Sequence, residues 1–185
     1  TGANTIFLRG TAEDVSFVVA QGVLGVQDDD LVLGGAGGNV TVNDGARLSV
    51  YEARNIATPL RLENNASITS TSSGGGHWTG PVTLAGTAIV SVPTAPFTIT
   101  GDIGETGGSF QLRKEGGNLL TLSGTNTHSG GTLVLGGQVT ATSDTAFGTG
   151  TLTIERDDPG GAAVRINLSN VTIDNDIVLN SNAGT

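Results

Sequence analysis

Short runs of alternating apolar and polar residues recur along the whole chain, separated by glycine, asparagine or aspartate. Val40–Val42, Leu60–Leu62 and Leu120–Leu122 are typical, since two apolar residues flank one polar residue in each run. A period of two places alternate side chains on opposite faces of a β-strand. No stretch shows the period of 3.6 that an amphipathic helix requires. The pattern therefore predicts an all-β protein with almost no helix.

The runs also repeat at longer range. Leu60 and Leu62 match Ile177 and Leu179 at a constant offset of 117 positions. Turn lengths drift between other copies while the apolar positions persist, as in a solenoid whose coils contact only their neighbours. A β-sandwich is the alternative, but the chain contains no Asn-Gly hairpin turn of the kind that a sandwich uses. We therefore expect a parallel β-helix with coils of roughly 20 residues, stacked about 4.8 Å apart.

The composition agrees with this fold class. Hydrophobic residues make up 36% of the chain but aromatic residues only 4%, so the core depends on Val, Leu, Ile and Ala. Branched aliphatic side chains and threonine suit a pleated surface. Thirty glycines indicate many turns and close backbone approaches. The chain has no cysteine, so it has neither a disulfide framework nor a thiolate metal site.

The charge balance argues against two classes of partner. Eight Lys and Arg residues stand against 17 Asp and Glu, which gives a net charge of -9. Nucleic acid and anionic membranes both require a basic surface, so we expect neither as a partner. No apolar run reaches the roughly 20 residues of a membrane span, and we expect no direct membrane insertion.

A long motif covers Leu112–Thr132, in which Leu112, Lys114 and the run Leu120–Gly124 are followed by Asn126 and a Gly-Gly-Thr end. Together with the flanking text of residues 78–154, it resembles the autotransporter-associated β-strand repeat, also called the passenger-associated transport repeat. The resemblance implies a right-handed parallel β-helix, exported by a Gram-negative-type bacterium and displayed on or released from its surface. In that family the repeat is associated with passenger folding and export and not with chemistry.

The motif also has a physical interpretation. We expect Leu120, Leu122 and Leu133 to point into the coil. Ser123-Gly124 and Gly130-Gly131 are expected at corners, where glycine adopts positive φ, and Asn126 is suited to bonding the backbone at a bend. His128 departs from the pattern, since it stands where the repeat usually has tyrosine.

The chemistry candidates are few, and the sequence assigns no catalytic residue, no cofactor and no metal site. Asp28 and Asp30 belong to the densest acidic cluster and are weak ligand candidates for Ca²⁺, although the spacing of known calcium loops is missing. Trp78 and Tyr51 are weak candidates for stacking on a sugar, while a lone tryptophan more often packs over a coil. Flat threonine arrays on a β-helix can bind ice, but threonine spacing along this sequence is irregular.

The sequence thus predicts one β-helix segment spanning residues 1–185, belonging to a longer repeat protein. Its expected function is that of a non-catalytic extracellular stalk or adhesive passenger. The alternatives are a carbohydrate-binding module and a β-helical polysaccharide lyase or hydrolase. The expected partners are other β-helix segments of the same or identical chains, and glycans or a host-cell surface. Because no capping helix is evident at either end, we also expect end-to-end stacking into a fibre.

Overall fold

The computed structural model describes residues 5–8, 12–13, 15–26, 33–34, 37–51, 55–71, 74–156 and 164–181. These residues contain strands and turns but no helix, as the alternating pattern predicts. None of them therefore forms a helix long and apolar enough to cross a membrane. The strands, in chain order, are β1 (Thr5–Leu8), β2 (Ala12–Glu13), β3 (Phe17–Val19), β4 (Val23–Val26), β5 (Leu33–Gly34), β6 (Val40–Val42), β7 (Arg47–Val50), β8 (Asn55–Ile56), β9 (Leu60–Leu62), β10 (Ser67–Ser70), β11 (Gly76–Trp78), β12 (Val82–Leu84), β13 (Ala88–Ser91), β14 (Phe97–Ile99), β15 (Ile103–Glu105), β16 (Leu112–Glu115), β17 (Leu119–Leu122), β18 (Thr132–Val134), β19 (Gln138–Ala141), β20 (Leu152–Arg156), β21 (Arg165–Leu168) and β22 (Ile177–Ser181).

The strands form three parallel sheets that the chain visits in turn. Sheet 1 has nine strands in the order β1-β4-β7-β10-β13-β16-β18-β20-β22. Sheet 2 has six strands, β8-β11-β14-β17-β19-β21, and sheet 3 has five, β3-β6-β9-β12-β15. A separate pair joins β2 to β5. From β7 to β16 the chain passes through sheets 1, 2 and 3 and returns to sheet 1, and from β16 onward it alternates between sheets 1 and 2, so that each circuit is one coil of a β-solenoid.

The described coils confirm the predicted fold class and refine its repeat length. Each turn takes roughly 22 residues, and individual turns vary, since Val23 pairs with Arg47 while Arg47 pairs with Ser67. The offset of 117 positions was a wrong register, because it matches Leu60 on sheet 3 with Ile177 on sheet 1. The right-handed sense of the coil stays a prediction, in line with the near-universal right-handedness of parallel β crossovers.

Inward side chains of successive coils stack into continuous apolar rows. On sheet 3 Val42, Leu62 and Leu84 pair in register and all are fully buried. Leu120 and Leu122 are buried as expected, but Leu133 is not, because Thr132 and Val134 occupy the inward positions of β18. Strand β18 begins directly after the Gly-Gly corner, and its inward positions are therefore one residue away from the predicted position at Leu133.

Close backbone contact, more than unusual backbone conformation, explains the glycines at the corner that follows sheet 2. A Cβ on Gly101 would lie 1.8 Å from the Gly80 carbonyl oxygen, and one on Gly124 would lie 2.4 Å from the Gly101 carbonyl oxygen. Successive coils therefore touch through bare backbone at this corner. Positive φ is found at Gly131, as expected, but not at Gly124.

We predict that Gly101→Ala lowers the free energy of unfolding by about 2 kcal/mol or more, because the added methyl group overpacks a backbone contact. Urea denaturation followed by circular dichroism measures the change. The matched control is Gly117→Ala, since a Cβ there meets no atom within 4 Å and its φ is not positive. Equal midpoints for the two variants would contradict the inter-coil contact.

Candidate binding surface

The outward face of sheet 2 carries a polar row that runs along the solenoid axis. The row, in the order of the coils, consists of Asn55, His77, Thr98, Thr121, Thr140 and Asn167. Parallel strands bring these side chains to a spacing of about 4.8 Å. The side chains of the three threonines and the two asparagines make no hydrogen bond within the described part of the chain. The row therefore offers donors and acceptors that the protein itself does not use.

A second row follows two residues later and is largely engaged. Thr79 Oγ1 donates to the Ile56 carbonyl at 3.3 Å. Thr142 Oγ1 lies 2.7 Å from Ser123 Oγ, and Thr100 Oγ1 lies 3.2 Å from His77 Nε2. The hydroxyls of this second row mainly form hydrogen bonds to neighbouring coils. The threonine hydroxyls and asparagine amides of the first row are therefore the groups that remain available to a ligand.

A shallow pocket of about 350 Å³ opens beside the first three coils of the polar row. It is lined by Asn55, Gly74, Gly75, Gly76, His77, Pro96 and Thr98. Gly76 is required for a different reason, because its Cβ would point into the interior and lie 2.7 Å from the buried Phe97 ring. The pocket and the row thus form one continuous surface of amide, imidazole and hydroxyl groups.

The solenoid interior contains one charged side chain, that of Lys114, among the described residues. Lys114 is the only lysine of the chain and is 0% exposed. Its Nζ donates to the carbonyl oxygens of Gly116 and, at 2.9 Å, Gly136. Burial lowers the pKa of Lys114 to about 8.

A second buried polar group lies where sheet 3 stops after β15. Asn126 accepts from the Ile103 amide at 2.8 Å and donates from Nδ2 to the Ala146 carbonyl at 2.6 Å. It thereby joins three coils in place of a strand, which confirms the expectation that Asn126 bonds backbone at a bend. Lost sheet hydrogen bonds are replaced by a side chain that has both a donor and an acceptor.

His128 lies in the same replaced segment and is fully buried. Thr132 Oγ1 donates to the Phe147 carbonyl at 2.9 Å, so it accepts from the Nε2–H of His128 at 3.1 Å. Burial lowers the pKa of His128, although the Ile103 carbonyl and the Glu105 charge oppose this change. The histidine is therefore a neutral structural group near pH 7.

Glu105 joins two neighbouring coils through hydrogen bonds on the outer surface. Its carboxylate accepts from the Phe110 amide at 2.7 Å, the Ser129 amide at 2.9 Å and Ser129 Oγ at 2.6 Å. Partial burial raises the pKa of Glu105, but these hydrogen bonds outweigh it and leave the pKa below its ordinary value. This carboxylate therefore has a structural role that fully accounts for its position.

The structure does not bring together the ligand candidates that the sequence suggests. Trp78 is 0% exposed inside sheet 2, so its ring is buried within the coil and is not available to a sugar. Tyr51 is half-buried just after β7, where its amide donates to the Val26 carbonyl. Asp28 and Asp30 lie outside the described residues. No group of three His, Cys, Asp or Glu side chains within the described ranges could hold a metal ion.

Apolar side chains are exposed at the two end coils of the described solenoid. Ile6 of β1 is 68% exposed, and Ile177 and Leu179 of β22 are 54% and 72% exposed. Ile6 and Leu179 belong to the inward row that is buried at Leu48 and Ile68 in the middle coils. An open groove of about 680 Å³ lies beside β1 and is lined in part by Ile6, Phe17 and Leu24. The end coils thus present the same surfaces that inner coils bury.

Comparisons with known proteins give one weak similarity. The chain is 29% identical over 112 residues to the Adhesin BmaC autotransporter of Brucella suis biovar 1 (strain 1330). The matched region is 60% of this chain but only 3% of that relative, so the chain spans a small part of the relative's length. No protein-family model matches the chain, and no solved structure matches it. The specific repeat that Leu112–Thr132 resembles therefore stays a prediction.

We predict that the pH dependence of stability above pH 8 comes largely from Lys114. An unfolded lysine titrates near 10.5 and the folded one near 8, so folding releases a proton between these values. The free energy of unfolding therefore rises as the pH increases from the folded to the unfolded pKa of Lys114, by up to ~1.4 kcal/mol per pH unit. Lys114→Met should lack the rise, as measured by urea denaturation at pH 7, 8, 9 and 10.

The control for this measurement is Arg113→Met, which removes the neighbouring outward cation and its 3.0 Å contact with Glu115. This control should keep the slope of the unaltered protein because Lys114 is retained. A Lys114→Met variant with the same slope would show that the buried amine does not set it.

Proposed function

We propose that the chain is a non-catalytic, adhesive, passenger-like segment of a protein exported to the surface of a Gram-negative-type bacterium. The observation that carries the proposal is the parallel β-solenoid, whose interior is filled by side-chain rows and whose lateral faces are continuous surfaces. The similarity to an autotransporter adhesin supports the same function and location. In this role the interior gives stiffness, and the outward rows supply the contact with a partner.

The exposed end rows support a further part of the proposal, namely that identical chains stack end to end. Ile6 and Leu179 each lie in rows that other coils of the same chain cover. The outer edges of β1 and β22 also present backbone groups that a further parallel strand can pair with. A second copy placed in register would bury the apolar rows and extend both ladders.

Stacking predicts rods of constant width whose length increases with protein concentration. Electron microscopy and light scattering over a concentration series measure this. Leu179→Lys should shift the protein towards monomers, because it places a charge in the row that a neighbour would bury. The matched control is Ile89→Lys, since Ile89 is half-buried and points outward on β13, in a middle coil of the same sheet.

Rods that persist in Leu179→Lys, or monomers at all concentrations of the unaltered chain, would contradict end-to-end stacking. Equal loss of rods in both variants would indicate a lateral contact, which also contradicts it.

Adhesion has a separate test. Beads coated with the folded chain should be retained on a monolayer of cultured animal cells several-fold better under flow than beads coated with the heat-denatured chain. Retention should depend on the solenoid because only the folded chain aligns its outward rows. Equal retention of both bead types would contradict the adhesive function.

A further inference from the structure

We propose that the polar row of sheet 2, from Asn55 to Asn167, binds a neutral polysaccharide chain that lies along the solenoid axis. The proposal rests on the adhesive function above and names the surface and the ligand class for it. Its key observation is the alignment of side chains from six coils into a single line.

The chemistry of the row fits a ligand rich in hydroxyl groups. A threonine hydroxyl both donates and accepts, and an asparagine amide offers two donors and an acceptor. Thr98, Thr121 and Thr140 are half-buried, and their hydroxyls are free of hydrogen bonds within the described ranges. A sugar hydroxyl that approaches them gains a hydrogen bond without displacing an internal one.

The charge pattern selects a neutral ligand. The chain carries a net charge of -9, yet neither the polar row nor the row that follows it contains Asp, Glu, Lys or Arg, and among the described residues the row that precedes it holds one charged residue, Arg165 next to Asn167. A uronic-acid or sulfated polymer would find a single basic side chain, Arg165, at one end of the row, while the overall negative charge of the chain would repel it along the rest. A cationic polymer would find no carboxylate in the row.

The pattern of free and engaged hydroxyls favours a linear polymer over a plane of ordered water. The free groups lie mainly in the first row, because Thr79 and Thr142 of the second row contact groups of neighbouring coils and Thr100 contacts His77, the one member of the first row that is engaged. The threonine run is also short, because Asn55 and His77 precede it and Asn167 follows it. The free groups thus form a line, whereas an ice plane requires a flat, two-dimensional array.

The pocket beside Asn55, His77 and Thr98 gives the line an anchoring point. Three consecutive glycines, Gly74–Gly76, are among its lining residues, which lets a ligand ring approach the backbone closely. Individual hydrogen bonds along an exposed row are weak, but repeated contacts with one polymer add up through high effective concentration. Binding should therefore increase with polymer length.

The experiment is affinity electrophoresis in gels that contain laminarin, dextran or hydroxyethyl cellulose, with polygalacturonate as the anionic comparison. The unaltered chain should be retarded by at least one neutral polymer and not by polygalacturonate. The variant Thr98→Val/Thr121→Val/Thr140→Val removes three hydroxyls but keeps β-branched side chains of the same shape. Its apparent Kd should be at least tenfold weaker.

The matched control is Thr41→Val/Thr83→Val/Thr153→Val. These threonines are also half-buried and at outward strand positions, but they lie on sheets 3 and 1. The control should bind as the unaltered chain does. If the row variant does not fold by circular dichroism, Thr121→Val alone should still weaken binding about threefold, against Thr83→Val as its control.

Several outcomes would overturn the proposal: no retardation by any neutral polymer, retardation by polygalacturonate alone, or equal weakening in both triple variants. Thermal hysteresis in freezing solutions, lost in the row variant and without polymer binding, would instead assign the row to ice and also overturn it. Coated beads that adhere to cells without binding any of these polymers would leave the adhesive function standing and refute only this ligand class.

Discussion

The backbone hydrogen bonds between successive coils are the interaction on which the rest of the structure depends. Each strand of sheets 1 to 3 pairs in parallel with the equivalent strand of the next coil. Pairing fixes the register, and the register decides which side chains stack inside and which line up outside. Both the apolar rows and the polar row of sheet 2 are consequences of this one ladder.

The ladder is incomplete on one side, and polar side chains replace it there. Sheet 3 ends at β15. From that point Asn126 bonds backbone groups of two neighbouring coils, and His128 donates to Thr132 Oγ1, which donates in turn to the Phe147 carbonyl. A buried polar group is stable only when its partners are supplied. These residues therefore let the coil continue without a third strand, while the apolar rows of sheets 1 and 2 extend past them.

Much of the fold follows from sequence, because alternation, glycine turns and the motif from Leu112 to Thr132 all have local physical causes. The register does not, since it depends on turn lengths that vary from coil to coil. For that reason the inward orientation of Leu133 and the match of Leu60 with Ile177 were predicted wrongly.

The polar row was missed for the same reason: Thr98, Thr121 and Thr140 stand at unequal sequence intervals and meet only in the folded chain. The triplets that start at these residues, Thr98-Ile99-Thr100 and its counterparts, carried the available signal. Burial of Trp78 and Lys114 is likewise decided by which face of a strand they occupy, and neither residue type reveals that.

The coil geometry also sets how far such a protein can reach. Roughly 22 residues complete one turn, and each turn advances the rod by only about 4.8 Å. The same residues in an extended strand would span about 70 Å. A solenoid of this kind is thus much shorter than the same chain in an extended conformation. A projection of several hundred ångströms from a cell would require well over a thousand residues. In return every turn adds another position to each lateral row, so length and the number of binding positions grow together.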